Sequence, residues 1–309
     1  MSFLSAVKSG PIAEGGTTVI ETNIGGVDYR IHAFENIGSD TFTVNSGGDF
    51  DVLIVGGGGA GGSERGGGGG AGELIYKSNE NISSGNYAVN VGSGGAVTTG
   101  DNIGNPGSPS TFKNFTADGG GGGGPNGIDG ASGGSGGGGG ANFGNGGAST
   151  ANTGIGFPGG DAVENWGGTG AAAGGGGAGG VGETAQGGNN RLDSMPDGGP
   201  GVDKSDIFGS TFGDNGKFAG GGGGGLEGSC ATDNTYSTDT IRAEGKAGGG
   251  DSGRRGRFGC SSTNGYNGES GTNALDNTGS GGGGGNYPGE GPANGGAGGS
   301  GIVIIRYEI

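Results

Sequence analysis

The chain has 309 residues, of which 97 are glycine, and only 28% belong to the hydrophobic set, too few for an oil-drop core of ordinary size. Its formal charge is −16 and it has 14 Lys and Arg in all. Because phosphate binding needs clustered cations, the sequence predicts no nucleic-acid partner, and it argues against a generally anionic membrane surface. Such a composition is typical of a disordered chain unless the glycine backbones order one another.

The first 55 residues differ from the rest, because short β-type runs are separated there by Gly, Asn and Asp turn signals. The runs are 17–22, 29–34, 41–44 and 51–55. They predict a small N-terminal antiparallel β module, residues 1–55, that serves for attachment or as a clasp.

Three further apolar runs lie in the remainder of the chain. Two come early, at 73–77 and 86–91, and the third, 301–307, ends the chain and echoes residues 52–55. We expect the first and last strands to pair and to close one domain, so that the C-terminal run is not a loose tail.

Glycine tracts fill the segment 56–309, with no helical periodicity and no Gly-X-Y register of collagen. A polyglycine-II helix has about three residues per turn and no internal hydrogen bonds, so neighbouring main chains must satisfy each N–H and C=O. We therefore predict packed polyglycine-II helices, with the pure runs 119–124, 220–225 and 281–285 in the interior. Non-glycine residues three apart should face solvent: Ala60 and Ser63, Ser132 and Ser135, Ala178 and Val181, Ala297 and Ser300.

The predicted fold is therefore mainly β and coil. It consists of the small antiparallel β module, residues 1–55, and a sandwich of packed polyglycine-II helices, residues 56–309, closed by the C-terminal strand 301–307.

Most aromatic residues of the body lie in the segments between the tracts. They either anchor these segments against the glycine core or form a binding surface carried by a rigid scaffold. Arg242, Lys246, Arg254, Arg255 and Arg257 form a basic cluster that either binds an anionic glycan or acidic loop, or neutralises nearby acidic residues. The receptor-binding candidates are Phe112, Phe115, Phe143, Phe157, Trp166, Phe208, Phe212, Tyr236, Arg242, Arg254, Arg255, Arg257, Phe258 and Tyr266.

Catalytic and metal chemistry find little support in the sequence. The two cysteines, Cys230 and Cys260, either form a disulfide or remain free thiols, and the sole histidine, His32, lies in a β run. The strand followed by GxGxxG at 52–61 is uninformative in a chain this rich in glycine. We predict no enzyme activity, no cofactor and no metal site.

Targeting signals are also lacking in the sequence as given. Residues 2–15 contain no apolar stretch long enough for a signal peptide, and no later stretch predicts insertion into a bilayer. This is what we expect of a protein assembled in a host cytoplasm and released by lysis.

Several motifs together resemble a known family. They are 42–44 with 51–59, then 72–76, 86–92 and the closing 299–307. In these the chain, over roughly residues 17–309, resembles the glycine-rich domain proteins of bacteriophage tails, many of them from marine phages. It is similar to the polyglycine-II tail-fibre tip adhesins of T-even-like phages, whereas residues 1–50 do not match the fibre-attachment domain of those adhesins.

The resemblance implies a virion protein, exposed to the extracellular medium on a tail or fibre. It implies loops that bind a host outer-membrane protein or surface glycan, and an N-terminal module that contacts other virion proteins. A capsid or tail decoration protein whose loops contact other copies of itself is the alternative. An ice-binding protein is a weaker third candidate, because its binding face would have to be flat and regular.

Overall fold

The computed structural model describes residues 10–162, 170–185, 196–225, 242–253, 269–286 and 293–309. Within these ranges the chain is mainly β and coil with one short helix, as predicted. The elements are β1 Ile12–Glu14, β2 Thr18–Ile24, β3 Val27–Phe34, β4 Gly38–Ser46, β5 Gly48–Val55, β6 Leu74–Ile82, β7 Gly85–Val91, β8 Ser110–Phe112, β9 Phe115–Ala117, β10 Val202–Asp203, α1 Ser205–Phe208, β11 Lys217–Phe218 and β12 Ile302–Glu308.

Two antiparallel five-stranded sheets carry most of these strands. The first sheet has the order β1-β4-β7-β8-β9 and the second has the order β2-β3-β12-β5-β6. The C-terminal strand β12 lies in the middle of the second sheet, where Ile302 pairs with Val55 and Ile305 pairs with Val52. The C-terminal run is part of this sheet, but the prediction that it pairs with the first strand is wrong: β12 pairs with β3 and β5, whereas the first strand, β1, pairs with β4.

Both sheets take strands from either side of residue 55. Strands β6 and β12 continue the second sheet, while β7, β8 and β9 continue the first. The N-terminal module and the glycine-rich segment are therefore interleaved in space. The strands of both contribute to one β-sandwich.

Apolar side chains fill the space between the two sheets. Phe42 on β4 lies at the centre of this cluster, with ring centroids 5.9 Å from Phe50 and 6.1 Å from Phe112, both in edge-to-face geometry. All three rings are fully buried. Such aromatic pairs stabilise beyond the area they bury, so these three rings contribute to the β-sandwich both by burial and by their mutual geometry.

The outer face of the second sheet is covered by the segment 202–219. Its rings Phe208, Phe212 and Phe218 are buried against that face. Arg306 on β12 joins the layers, because its guanidinium pairs with Asp51 at 2.8 Å and also donates to the carbonyl oxygen of Ile207. This segment is a lid on the sheet.

The glycine tracts begin directly after the strands and bond sideways with a period of three. In residues 56–62 every third N–H donates to the same neighbouring tract. The bonds run from Gly56, Gly59 and Gly62 to Glu73, Gly70 and Gly67, from Gly57 and Ala60 to Ser108 and Asn105, and from Gly58 and Gly61 to Gly299 and Gly296. Three residues per turn with lateral bonding is the polyglycine-II arrangement.

Residues 66–73 form the central tract of the bundle. Six tracts surround it: 56–62, 135–140 and 219–225 donate main-chain hydrogen bonds to it, and 118–124, 171–178 and 279–285 accept main-chain hydrogen bonds from it. These six bond to one another in turn and to an outer ring of tracts. The predicted packing of helices therefore takes the form of a concentric hexagonal bundle, which we call the glycine bundle.

The structure separates the expectations about tract interiors. Residues 120–124, 220–225 and 281–285 are buried, as predicted for the pure glycine runs. The rule that alanine or serine marks a solvent edge is wrong at several positions, because Ala60, Ser63, Ser135, Ala178 and Ser300 are also buried. The physical reason is that a methyl or hydroxyl group fits where the neighbour is itself recessed or polar: Ala178 packs into the apolar cluster beneath the second sheet, and the Ser300 hydroxyl accepts the N–H of Asn277 at 2.9 Å.

Candidate recognition face

The end of the bundle opposite the β-sandwich is formed by tight turns. The tract 56–62 leaves β5, turns at 63–65 and returns as 66–73 to β6. At a rise of about 3.1 Å per residue, this turn lies roughly 22 Å from the sheet. We call this end the distal face and define it by residues 63–65, 97–103, 125–129 and 141–143.

Hydrogen bonds hold the turns of the distal face against one another. The Ala141 N–H donates to Arg65 at 3.0 Å and the Gly127 N–H donates to Ala141 at 2.6 Å. The Ser63 hydroxyl donates to the carbonyl oxygen of Gly100. The face is therefore a continuous surface supported directly by the ends of the inner tracts.

The described residues that border three undescribed segments also meet at this face. Gly225 donates to Gly66, Glu64 donates to Ala293, and Arg65 donates to Asn286, at 2.8, 2.9 and 3.4 Å. These residues precede or follow the segments 226–241 and 287–292. Gly253, which precedes the segment 254–268, donates to Gly284 at 2.9 Å, one residue from Gly285 beside the same turn.

Large apolar side chains are exposed on the distal face. Val97 and Ile103 are each 42% exposed, Ile128 is 46% exposed and Phe143 is 59% exposed. Phe143 has a φ of +75°, in the left-handed region that a bulky residue rarely adopts.

Ile103 and Ile128 flank the one open corner of the described bundle. In the described residues, outer tracts cover the inner ring except outside 119–124, between the tracts 102–108 and 128–133. With three residues per turn, the N–H groups of Gly119 and Gly122 point toward this corner, because those of residues 120, 121, 123 and 124 donate to other tracts. The same period directs the side chains of Ile103 and Pro106 into the corner from the tract 102–108, and those of Ile128 and Ala131 from the tract 128–133. Apolar side chains therefore occupy the position where another glycine tract would lie.

Comparison with known protein families gives a match over most of the chain. A family model described as a glycine-rich domain matches residues 35–308. The chain belongs to the glycine-rich domain family. No curated protein matches it.

Three of the predicted receptor contacts in this glycine-rich domain are core residues, and these predictions are corrected. Phe112 belongs to the cluster between the sheets and is fully buried. Phe208 is fully buried and Phe212 is 3% exposed beneath the lid 202–219. The alternative that these rings anchor their segments holds for all three, because the apolar sheet faces that they cover would otherwise be exposed to water.

The other described aromatic candidates are at least partly accessible. Phe115 on β9 is half-buried, with the Lys77 ammonium 5.3 Å from its ring centroid. Phe157 is 38% exposed, but it lies toward the β-sandwich, since its carbonyl accepts from Gly136 in the tract that bonds to Ala71. Of the predicted aromatic contacts that the structure describes, Phe143 is the one on the distal face.

The two described members of the basic cluster are paired with carboxylates. Arg242 lies 3.5 Å from Glu269, and Lys246 lies 2.7 Å from Asp197 and 2.9 Å from Glu244. Burial lowers the pKa of Lys246, but its hydrogen bonds to Asp197 and Glu244 outweigh burial and raise the pKa above the ordinary value. Neutralisation therefore describes these two side chains. The remaining candidates, Trp166, Tyr236, Arg254, Arg255, Arg257, Phe258, Tyr266 and the cysteines Cys230 and Cys260, lie outside the described residues.

His32 is a core residue of the glycine-rich domain. It is 1% exposed, its Nδ1 donates to the carbonyl oxygen of Gly15 at 2.7 Å, and its ring stacks on Tyr307. Burial lowers its pKa and so favours the neutral ring. In the described ranges no three His, Cys, Asp or Glu residues are arranged to hold a metal ion, and none of the helical segments has the length and apolar character of a membrane span.

Sequence reasoning missed Glu73, the most highly bonded carboxylate among the described residues. It is 1% exposed, and its Oε1 accepts the N–H groups of Asn152, Thr153 and Gly154 at 3.1, 3.0 and 2.6 Å. Its Oε2 accepts the N–H of Asp118 at 3.1 Å. The sequence signal was its position between a glycine tract and a strand. When the tract is buried, the side chain that directly follows it is buried too and needs hydrogen-bond partners.

Proposed function

We propose that this glycine-rich domain is a structural protein of a phage virion, a tail-fibre or tail-tip adhesin that binds a host cell-surface receptor through its distal face. The observation that supports the proposal is the set of exposed apolar side chains at that face, on short turns tied to the inner tracts. The resemblance described above supports the phage setting.

The glycine bundle gives such a face an unusually rigid support. The turn residues Ser63, Glu64 and Arg65 bond to neighbouring tracts, so the apolar side chains near them are held in place before a partner arrives. Preorganisation lowers the entropy lost on binding. Exposed apolar groups surrounded by polar residues are typical of protein-binding sites.

The two ends of the molecule suit different roles in this proposal. The β-sandwich buries its aromatic core residues between its sheets and beneath the lid 202–219, although Ile12, Val19 and Ile37 are exposed at its margins. The distal face leaves Ile128 and Phe143 uncovered. We infer that the β-sandwich end contacts other virion proteins and that the distal face contacts the receptor, an outer-membrane protein or a surface glycan.

Binding of the purified, fluorescently labelled chain to a panel of Gram-negative cells tests the proposal. We expect saturable binding to at least one strain, and a loss of at least tenfold in apparent affinity for the double variant Ile128→Asp, Phe143→Ala. The control is Val181→Asp, because Val181 is 55% exposed but follows the Ala178 turn beside the β-sandwich. Equal weakening by both variants would contradict a role for the distal face.

A second result separates an adhesin from a decoration protein. Gold-labelled antibody on purified particles should mark fibre or tail tips, whereas labelling along a shell or tube, together with no binding to any cell, would support decoration.

The basic cluster is tested in the same cell assay with the double variant Arg254→Ala, Arg255→Ala. Unchanged cell binding by that variant would remove the cluster from the proposal without affecting the apolar side chains.

A further inference from the structure

The four edge strands of the β-sandwich differ in how they are protected against pairing with another chain. β1 and β9 have three residues each, and β1 also carries a register shift. β6 carries a register shift opposite Phe50 to Val52 and the charged side chains Lys77 and Glu80. Short, bulged and charged edges are the usual protection. β2 lacks these features, since it has seven residues in unbroken register with β3.

The register shows which main-chain groups of β2 have no hydrogen-bond partner among the described residues. The Ile309 N–H donates to Asp28, so alternate residues of β3 from Asp28 to Phe34 bond to β12. The intervening residues of β3 therefore bond to Thr18, Ile20, Thr22 and Ile24 of β2. The two-residue turn at Gly25 and Gly26, with φ of +65° and +92°, agrees with this, because such hairpin loops are flanked by a hydrogen-bonded pair, here Ile24 and Val27.

Val19, Glu21 and Asn23 consequently direct their N–H and C=O groups away from the sheet. The Glu21 carboxylate, the one charged side chain of β2, pairs with Arg30 at 2.5 Å. Val19 is 49% exposed beside this edge. The edge thus offers regular main-chain donors and acceptors with little net charge to repel another strand.

We propose that β2 pairs antiparallel with β2 of a second copy of this chain, which joins two five-stranded sheets into one sheet. The strand is complementary to itself in the register that sets Thr22 opposite Thr22. Ile20 of one copy then lies opposite Ile24 of the other, and Glu21 lies opposite Asn23. Such a two-fold contact is closed and forms a dimer.

One neighbouring register is excluded by charge. Shifting the pairing by two residues sets Glu21 opposite Glu21, and like charges directly opposite destabilise a sheet. In the proposed register Ile20 and Ile24, which already pack against the cluster beneath the second sheet, extend that cluster across the interface. The β2–β3 hairpin precedes residues 35–308, the part of the chain that the family model matches.

Sedimentation velocity of the full chain tests the dimer. Because each copy has a formal charge of −16, we expect the dimer fraction to rise as salt increases from 20 to 300 mM and screens the repulsion. Glu21→Pro removes an outward N–H and leaves the bonds to β3, a substitution that edge strands tolerate. It should give a monomer with an unchanged circular dichroism spectrum, whereas Glu21→Gln should still dimerise. A monomer at every salt and protein concentration, or a dimer that Glu21→Pro leaves intact, would overturn the proposal.

A cysteine pair tests the register without relying on Glu21→Pro. In a Cys230→Ser, Cys260→Ser background, Thr22→Cys should cross-link under mild oxidation, because facing residues of a non-bonded antiparallel pair have Cα atoms about 4.5 Å apart, within the disulfide range of about 4.4–6.8 Å. Thr18→Cys on the same face of β2 is the control and should not cross-link. Equal cross-linking of both variants would overturn the register. These tests do not depend on receptor binding, so their failure would leave the proposed function standing.

Discussion

In the β-sandwich the interior consists of side chains, whereas in the glycine bundle it consists of main chain. Phe42, Phe50 and Phe112 lie in the first interior, where burial of apolar side chains is a main favourable contribution to folding. In the second, the residues 66–73 are surrounded by other tracts, and hydrogen bonds replace apolar contacts. One chain can thus be stabilised by two kinds of core, and the glycine bundle is the less tolerant, since added atoms find no space in it.

The largest expected effect comes from placing one methyl group in the central tract. A Cβ at Gly69 would overlap the carbonyl oxygen and carbon of Gly59. Main chain cannot swing aside as a side chain can, so we expect Gly69→Ala to destabilise by more than about 4 kcal/mol or to prevent folding. Thermal unfolding followed by circular dichroism measures this. Gly25→Asn is the control, because a Cβ at Gly25 meets nothing within 4 Å and asparagine tolerates the left-handed turn.

The next largest effect should come from the side-chain core. Phe42→Ala removes the ring at the centre of the buried aromatic cluster, and we expect a loss of about 3–5 kcal/mol in the free energy of unfolding. Phe143→Ala, on a ring that is 59% exposed, should change stability by less than about 0.5 kcal/mol. Similar losses in urea unfolding of the two variants would contradict the assignment of one ring to the core and the other to a surface.

Glu73 lies where the two interiors meet, and its substitution should have an intermediate effect. Glu73→Gln keeps the shape but replaces one acceptor oxygen of the carboxylate, which receives N–H groups from Asp118 and from residues 152–154. We expect a loss of about 1.5–3 kcal/mol, the range for hydrogen bonds to a charged group. Hydrogen exchange should rise first at residues 152–154. Asp101→Asn, at an exposed position, should leave both measurements unchanged.

The smallest effect concerns pH. Burial lowers the pKa of His32, and the positive charge of Arg30 lowers it further against the opposing hydrogen bond to Gly15. Below the ordinary histidine pKa of about 6.5 the unfolded chain binds the proton more readily than the folded one, so stability should fall as pH decreases from about 7. His32→Phe should weaken that dependence between about pH 7 and 5.5. The melting temperatures of both proteins are measured across this pH range. An equal change of melting temperature with pH in the two proteins would contradict the prediction.

Much of the secondary structure could be predicted from local patterns. The β runs around Val52 and Ile304 were visible because alternation and apolar runs are properties of adjacent residues. The lateral bonding of the tracts followed from glycine content and the absence of internal hydrogen bonds in a polyglycine-II helix. The exact positions of the candidate contacts did not follow, because Phe208 and Phe143 both stand in glycine-rich segments and only distant partners distinguish them.

The amino-acid sequence alone was sufficient to predict that backbone packing replaces an oily interior and that β strands occur near both ends, because each depends on composition or on neighbouring residues. Tertiary structure alone decided that the terminal strand pairs with β3 and β5, that the bundle is concentric around residues 66–73, that Phe112, Phe208 and Phe212 are internal, and that Ile103 and Ile128 line a corner that no described tract fills. The reason is physical: with a period of three, a side chain's direction is repeated along its tract, but whether a neighbour occupies that direction depends on residues far away in the chain.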